Sequence, residues 1–371
     1  MKRILIYGMS SKVGGVEEYL MNVYRNLDRK EMQFDFIITD GNTVYCEEEI
    51  QNLGGKVYYP QNTKFIKKML SLKKIIKQER KNHDTIYFNS CGMYNILPYL
   101  YAKIYRYKKI IVHAHNTKDT SRKEIIHMFH YINRWIISNF IATKMLACSR
   151  IAGEWIFGKN KIGKGKVEII YNAIDIDRFK FNKNIRDKIR KELHIEGKFV
   201  IGHIGRFIYQ KNHMFLLEVF NKVLEKRQDV VLLLIGEGNE KENIKDYVKN
   251  NQMDKNVLFL STTKKIEELY QAMDLFVLPS KYEGLPVVGV EAQCNGLYCI
   301  FSDKITKELK LKDNVKFLDI NHSEIWSKNI INLVANKAGR IENNEKIKRK
   351  YDIKKQINKI GQILGGNNEG T

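Results

Sequence analysis

A chain of 371 residues is too long for one ordinary core and suits two domains of about 150–200 residues each. Its 43% hydrophobic content and only four prolines exclude a disordered chain, and no fixed-period repeat points to a solenoid or propeller. The net charge of +22 is the outlier: it implies an anionic partner (nucleic acid, anionic lipid or a phosphorylated ligand), unless it only reflects a chain rich in Lys, Ile and Asn.

In chain order, MKRILIYGMS reads as a short buried strand and not a signal peptide, because the apolar run is too short and no small-residue cleavage site follows. No stretch reaches the roughly 18 apolar residues of a membrane span. Strands are expected at Arg3–Met9, 33–39, 56–59, 85–89, 109–113, 144–148 and 167–171, then at 199–204, 230–235, 257–260, 275–278 and 298–301. Several are continuous Ile/Val/Leu/Phe runs, as a sheet buried on both faces requires, and helical stretches separate most of them. That is the pattern of βαβ units and parallel sheets. The rhythm breaks near 175–198, so the chain divides into domains 1–175 and 176–345. The cleft between two such domains, at the carboxyl ends of the strands, is the expected ligand site. The five cysteines (Cys46, Cys91, Cys148, Cys294, Cys299) form no Cys-x-x-Cys pair. This fits a reducing cytoplasm and argues against a disulfide framework or a zinc site.

Four stations carry chemistry. Gly14-Gly15 follows the first strand and opens a helix near Val16; glycines let backbone amides approach a phosphate, although a plain tight turn explains them equally well. The loop from Gly8 to Val13 lacks the G-x-G-x-x-G spacing of dinucleotide sites. His113 and His115 share one face of an extended chain. They suit a proton transfer, a hydrogen bond to a sugar hydroxyl, or structural burial; no third ligand lies nearby for a metal. Gly205-Arg206, with Lys211 before the helix at Asn212, puts a planar donor fork and a mobile point charge at a strand-to-helix mouth. Glu283 lies in the loop after Pro279, and Pro286 suits the first helical turn, with Glu291 two turns in. Amides there suit a diphosphate, and the carboxylates accept from hydroxyls. Glu237, in Gly236-Glu237-Gly238, is a further strand-end candidate or a simple turn. Asp175-Ile176-Asp177 spells D-x-D but falls outside any strand end, and reads as capping acids.

The spacing Glu283-x7-Glu291, following Pro279-Ser280 and enclosing Gly284-Leu285-Pro286, resembles the Glu-x7-Glu motif of glycosyltransferase family 4. Gly205-Arg206 with Lys211-Asn212 resembles that family's phosphate-binding stretch. Asn172-Ala173-Ile174-Asp175 with Phe179 resembles its Asn-Gly-Ile-Asp…Phe segment, with Ala173 in place of glycine. Gly14-Gly15-Val16-Glu17, Ala147-Cys148-Ser149 and Ser302-Asp303 also fit. The resemblance implies an α/β chain of the GT-B fold, two Rossmann-like domains, and a retaining enzyme. By residue, it implies that Arg206 and Lys211 hold the donor diphosphate, with Gly14, Gly15 and Glu237 lining the donor site. Glu283 would bind the transferred sugar, the stretch Gly284, Leu285, Pro286, Val287, Val288 would offer its backbone to sugar and phosphate, and Glu291 would bind the ribose. His115 would line the reaction centre, being further out than His113. The C-terminal helix, at about 346–364, would pack back on the first domain. No metal or cofactor is expected; the nucleotide-sugar, a UDP-sugar first among them, is a substrate.

The acceptor implied is a glycan or lipid-linked sugar in cell-surface polysaccharide synthesis. Lys64–Lys81 (KFIKKMLSLKKIIKQERK) places apolar residues among basic ones at helical spacing. It reads either as a cationic helix on an anionic membrane, at the inner face of the plasma membrane, or as a surface helix with its apolar side on the core. Two rivals remain: an NAD-dependent dehydrogenase, suggested by Asp40 at the end of the second strand, and a nucleic-acid-binding protein, suggested by the charge. Neither has its motif. A catalytically dead relative is a third, opposed by intact Arg206, Lys211, Glu283 and Glu291.

Overall fold

Among the described residues the twelve expected strands, with one more, form two parallel sheets. The computed structural model describes residues 1–11, 14–61, 64–116, 124–261, 263, 265–336 and 339–365, without the side chains of 124 and 125. It divides into one unit of Met1–Ala173 with Ile353–Thr371, and a second of Ile174–Asp352.

In the first unit the strands are β1 (Lys2–Met9), β2 (Met32–Ile38), β3 (Val57–Tyr58), β4 (Thr85–Ser90), β5 (Lys109–Ala114), β6 (Lys144–Ala147) and β7 (Val167–Ile169). Their order is β3-β2-β1-β4-β5-β6-β7. β2 and β4 are buried along their whole length, including the polar Gln33 and Asp35 of β2, and Asp35 is held there by Arg3 and His83. One face packs a core of Ile4, Ile6, Phe34 and Phe36 with Tyr24 of the helix Gly15–Asn26. The other packs Leu5, Ile86, Phe88 and Val112 against Met69, Leu72 and Ile76 of the helix Phe65–Glu79.

The second unit holds β8 (Phe199–Ile204), β9 (Val230–Ile235), β10 (Val257–Leu260), β11 (Leu275–Leu278), β12 (Tyr298–Ser302) and β13 (Val315–Leu318), in the order β10-β9-β8-β11-β12-β13. β13 was not expected. It is a four-residue edge strand, Val-Lys-Phe-Leu, with only Val315 buried, so it lacks the apolar run that marks the others.

Both sheets reverse direction once. In the first, successive strands run outward from β1 to β3 and then resume on its other side at β4; in the second the same happens between β8 and β11. In open α/β sheets ligands bind outside the carboxyl ends of the strands at such a reversal.

The chain leaves the first unit after Ala173, which is buried at a negative φ, so this turn does not need the glycine usual there. The expected returning segment, 346–364, proves to be divided. The helix Glu345–Tyr351 belongs to the second unit, where Ile347 and Tyr351 are buried. The helix Ile353–Leu364 belongs to the first, with Ile353, Ile360 and Leu364 in its core, spaced to share one helical face. The expected division at 345/346 therefore falls at 352/353.

Candidate functional site

Gly205 follows β8 in close contact with Lys211: a Cβ there would lie 3.1 Å from its Cδ and Cε, so the lysine chain would have to shift slightly. A second glycine loop is zipped onto the first. The amide of Gly205 donates to the carbonyl of Ile235 at 3.0 Å, and that of Phe207 to the carbonyl of Glu237 at 2.9 Å. Gly236 allows this approach, since a Cβ at its φ of 153° would sit 2.1 Å from the carbonyl oxygen of Gly205. Arg206 is left exposed, and among the described residues its guanidinium has no hydrogen-bond or ion-pair partner. Residues Tyr209–Lys211 form a short 3-10 turn, and Asn212, at φ 59°, starts the helix His213–Leu224.

The ends of β8 and β11 then meet. Nζ of Lys211 donates to Oε1 of Glu283 at 2.6 Å, with both side chains largely buried. Nε2 of Gln210 donates to the carbonyl of Tyr282 at 2.8 Å and lies 3.3 Å from Oε2 of Glu283. The amide of Lys281 donates to the carbonyl of Gln210 at 2.9 Å, and Nδ2 of Asn212 to the carbonyl of Pro279 at 3.2 Å. The two loops that sequence placed separately thus form one hydrogen-bonded knot. Behind it, His203 donates from Nδ1 to the carbonyl of Val277 at 2.9 Å and packs edge-on to His213 at 4.7 Å. Burial pulls His203 down to about 4 and His213 to about 2, so both imidazoles are neutral.

Past the knot, the helix begins at Val287 and runs to Cys294. Pro286 is its N-cap and not its first residue, and it has no N–H to offer, so it contributes no amide. Glu291 lies little more than one turn in, not two. It is 8% exposed, and the phenol of Tyr270 donates to its Oε2 at 2.7 Å. The backbone of Glu237 is joined to the Arg206–Phe207 loop, but its carboxylate is engaged elsewhere, accepting from Nζ of Lys241 at 2.9 Å and from Oγ of Ser261 at 2.7 Å. Lys241 holds its carboxyl below the usual range. Asp175 is a helix cap, its side chain accepting from the amide of Asp177, which accounts for the D-x-D.

In the first unit Gly14 is the N-cap of the helix Gly15–Asn26, whose first residue is thus Gly15. A Cβ on Gly14 would meet Oε2 of Glu17 at 2.7 Å, while Gly15 faces open space. Oε1 of Glu17 accepts from the amide of Ser10 at 2.9 Å, closing the loop after β1. Lys12 and Val13 of that loop lie outside the described residues, as does Thr117 beyond the histidines. His113 and His115 do share a side, with ring centroids 4.1 Å apart and both beside Tyr19. Nδ1 of His113 is 2.7 Å from the hydroxyl of Tyr87. Nε2 of His115 is 3.0 Å from Oδ1 of Asn89, at the end of β4. Burial pulls His115 down to about 3, with Asn172 beside it working the other way; burial also holds His113 well below its ordinary value. Both rings are neutral across the physiological range.

The chain matches the model for Glycosyltransferase Family 4 over residues 13–178 and that for Glycosyl transferases group 1 over residues 184–351. It is 31% identical over 314 residues to EpsF of Bacillus subtilis (strain 168), a protein named as a glycosyltransferase, covering 83% of this chain and 81% of EpsF. The chain belongs to glycosyltransferase family 4. A second relative of this glycosyltransferase is the UDP-Gal:alpha-D-GlcNAc-diphosphoundecaprenol alpha-1,3-galactosyltransferase of Escherichia coli, 25% identical over 311 residues, or 81% of this chain and 79% of that one. Its fold is GT-B: the crystal structure of Anabaena Alr3699/HepE in complex with UDP-glucose superposes with a TM-score of 0.80 at 19% identity, covering 98% of this chain and 99% of that one. Family membership replaces the dehydrogenase and nucleic-acid-binding readings.

Of the expected site residues in the second unit of the glycosyltransferase, Lys211 and Glu283 come together directly, with Arg206 and the 284–288 stretch on the same two loops. Three neighbours were missed: Gln210 on Glu283, Tyr270 on Glu291, and Asn89 on His115. Asn89 left one trace in the sequence, as a polar residue straight after Ile86-Tyr87-Phe88 at the end of a strand. Tyr270 left none, because a buried tyrosine in a short helix looks like any core aromatic.

Proposed function

We propose that this glycosyltransferase is a retaining hexosyltransferase that takes a UDP-sugar as donor and a lipid-linked or glycan acceptor in cell-surface polysaccharide synthesis. The observation that carries this is the meeting of Lys211 and Glu283 at the strand reversal of the second unit, with Arg206 exposed on the loop that leads to Lys211 and, among the described residues, without a partner. Breaking a glycosyl–phosphate bond builds negative charge on the departing diphosphate. Arg206, Lys211 and the first amides of the helix Val287–Cys294 are donors suited to that charge. Glu283 is the acceptor for sugar hydroxyls, and Glu291 for the ribose. Retention follows if the departing phosphate takes the acceptor's proton on the same face. His115 then serves as a neutral hydrogen-bonding group of the reaction centre. A UDP donor and a lipid-linked acceptor are supported by the E. coli relative, and UDP also by the HepE complex. No metal has a role.

The test is donor hydrolysis across UDP-, GDP- and ADP-sugars, with the anomeric configuration of the released sugar followed by NMR. Turnover of a UDP-hexose with retained configuration is expected. Turnover of GDP- or ADP-sugars alone sinks the UDP assignment, and an inverted product sinks retention.

Peripheral seating on an anionic membrane belongs to the same proposal, through a wider surface than Lys64–Lys81. In the helix Phe65–Glu79, Met69, Leu72 and Ile76 face the core, which is the ordinary surface-helix arrangement, but Phe65, Ile66 and Leu70 are exposed among lysines. The helix Glu124–Ile136 and the turn after it expose Met128, Phe129, Tyr131, Ile132, Trp135 and Phe140. Five large apolar side chains on one helix, with Phe140 in the turn after it, exceed the scatter usual on a monomer. Arg134 stacks on Tyr131 at 4.9 Å, and Lys161 donates to Oδ1 of Asn139 at 2.7 Å, so basic groups border the patch. Among the described residues no helix is long and apolar enough to cross a membrane. Cosedimentation with phosphatidylglycerol vesicles should be salt-sensitive and should fall about a hundredfold in Trp135→Ala/Phe140→Ala. Absence of binding to these vesicles removes this part of the proposal.

A further inference from the structure

Glu291 is nearly enclosed, and a buried carboxylate needs donors to stay ionised and fixed. One comes from a separate helix, Ile266–Ala272, which carries the fully buried Tyr270. Its hydroxyl lies 2.7 Å from Oε2 of Glu291 and 3.1 Å from the carbonyl of Val288. A phenol has one proton to give, and the shorter, charge-assisted contact takes it. The ring is held edge-on by Phe179, with centroids 5.7 Å apart, and tilted against Phe276 at 5.8 Å. The hydroxyl is therefore placed by aromatic packing that owes nothing to Glu291. Burial raises Tyr270 well above its ordinary value, so it remains a donor throughout the working range.

We infer that Tyr270 is a positioning residue for nucleotide recognition: by holding one oxygen of Glu291 it sets the carboxylate plane that receives the two ribose hydroxyls of the donor. This rests on the assignment of Glu291 to the ribose. A carboxylate can only accept, and a vicinal diol presents two donors at a fixed separation. An unheld carboxylate would have to give up rotamer freedom on binding, whereas one pinned by Tyr270 is already ordered.

The probes are UDP and 2′,3′-dideoxy-UDP, titrated calorimetrically into the wild-type protein, Tyr270→Phe and Glu291→Gln. The wild type should prefer UDP by about tenfold or more, the worth of charge-assisted hydrogen bonds. In Tyr270→Phe that ratio should fall towards one through weaker UDP binding, with dideoxy-UDP affinity unchanged. Equal weakening of both probes, or an unchanged ratio, overturns the inference. Glu291→Gln separates the two failures: if it leaves the wild-type ratio intact, Glu291 does not read the ribose and the assignment beneath the inference falls with it. Phe179→Leu loosens the same ring while keeping the hydroxyl. It should lower the thermal midpoint and bring the ratio part of the way down, between the wild type and Tyr270→Phe, so it reports on positioning even if Tyr270→Phe folds poorly; an unchanged ratio in Phe179→Leu at a lowered midpoint overturns the placement of the hydroxyl by the ring.

Discussion

The two strand reversals have the same topology and opposite electrostatics. Where β8 and β11 end, the second unit gathers ionised groups: Lys211 against Glu283 at 2.6 Å, and Arg206 open to solvent. Beside the reversal of the first unit, where β4 and β5 end, the groups are neutral: Asn89, Tyr87, and two imidazoles whose protons burial has stripped away. A shared architecture thus fixes where a ligand can bind, and the side chains decide what it can be. An anionic diphosphate suits the charged end, and an uncharged hydroxyl-rich group suits the neutral one.

The sharpest way to break this contrast is Arg206→Ala. If the charged end stabilises a departing diphosphate, kcat/KM should fall by about 10²–10³, with thermal stability little changed because Arg206 is exposed. A fall below about threefold would mean that the charge is ornamental. Lys211→Met should cost about 3 kcal/mol in urea unfolding, since it leaves a largely buried carboxylate without its cation. Asn89→Ala, removing a neutral partner of His115, should cost only about 1 kcal/mol. Equal losses would erase the distinction between the two ends. Acid sharpens it further. Burial holds His115 at about 3 and His203 at about 4, below the roughly 6.5 of an unfolded chain. Their contribution is complete above about pH 6.5 and is lost as pH falls towards the folded values, because the unfolded chain then binds protons that the folded one cannot. Between pH 6.5 and 5 each should cost about 2 kcal/mol, read from urea midpoints. The pH–rate profile, in contrast, should show no limb from His115 between pH 5 and 8. The smallest effect belongs to Glu237→Gln: with its carboxylate already taken up by Lys241 and Ser261, kcat/KM should change by less than about twofold. A larger loss would return Glu237 to the donor site.

The helix Glu124–Ile136 shows where sequence reasoning fails. It has a clear 3.6-residue contrast, but the polar side, with His130 and Asn133, is the buried one and the apolar side, with Met128, Ile132 and Trp135, is exposed, so the rule that the apolar side packs on the core points the wrong way here. In Lys64–Lys81 the contrast existed but its direction did not follow from it. Only the position of β4 and β5 showed that Met69, Leu72 and Ile76 point to the core.

By itself, the sequence determined twelve strands, several of them continuous apolar runs, together with the order of the motif stations and the family they mark. Run length, glycine position and motif spacing are local properties, and local properties survive without coordinates. Tertiary structure alone decided which stations touch. Lys211 and Glu283 are 72 residues apart and Tyr270 and Glu291 are 21 apart. They meet because β11 lies beside β8 and because one aromatic ring is wedged between Phe179 and Phe276. Strand order and side-chain packing arise from the whole chain at once, so no window of sequence contains them.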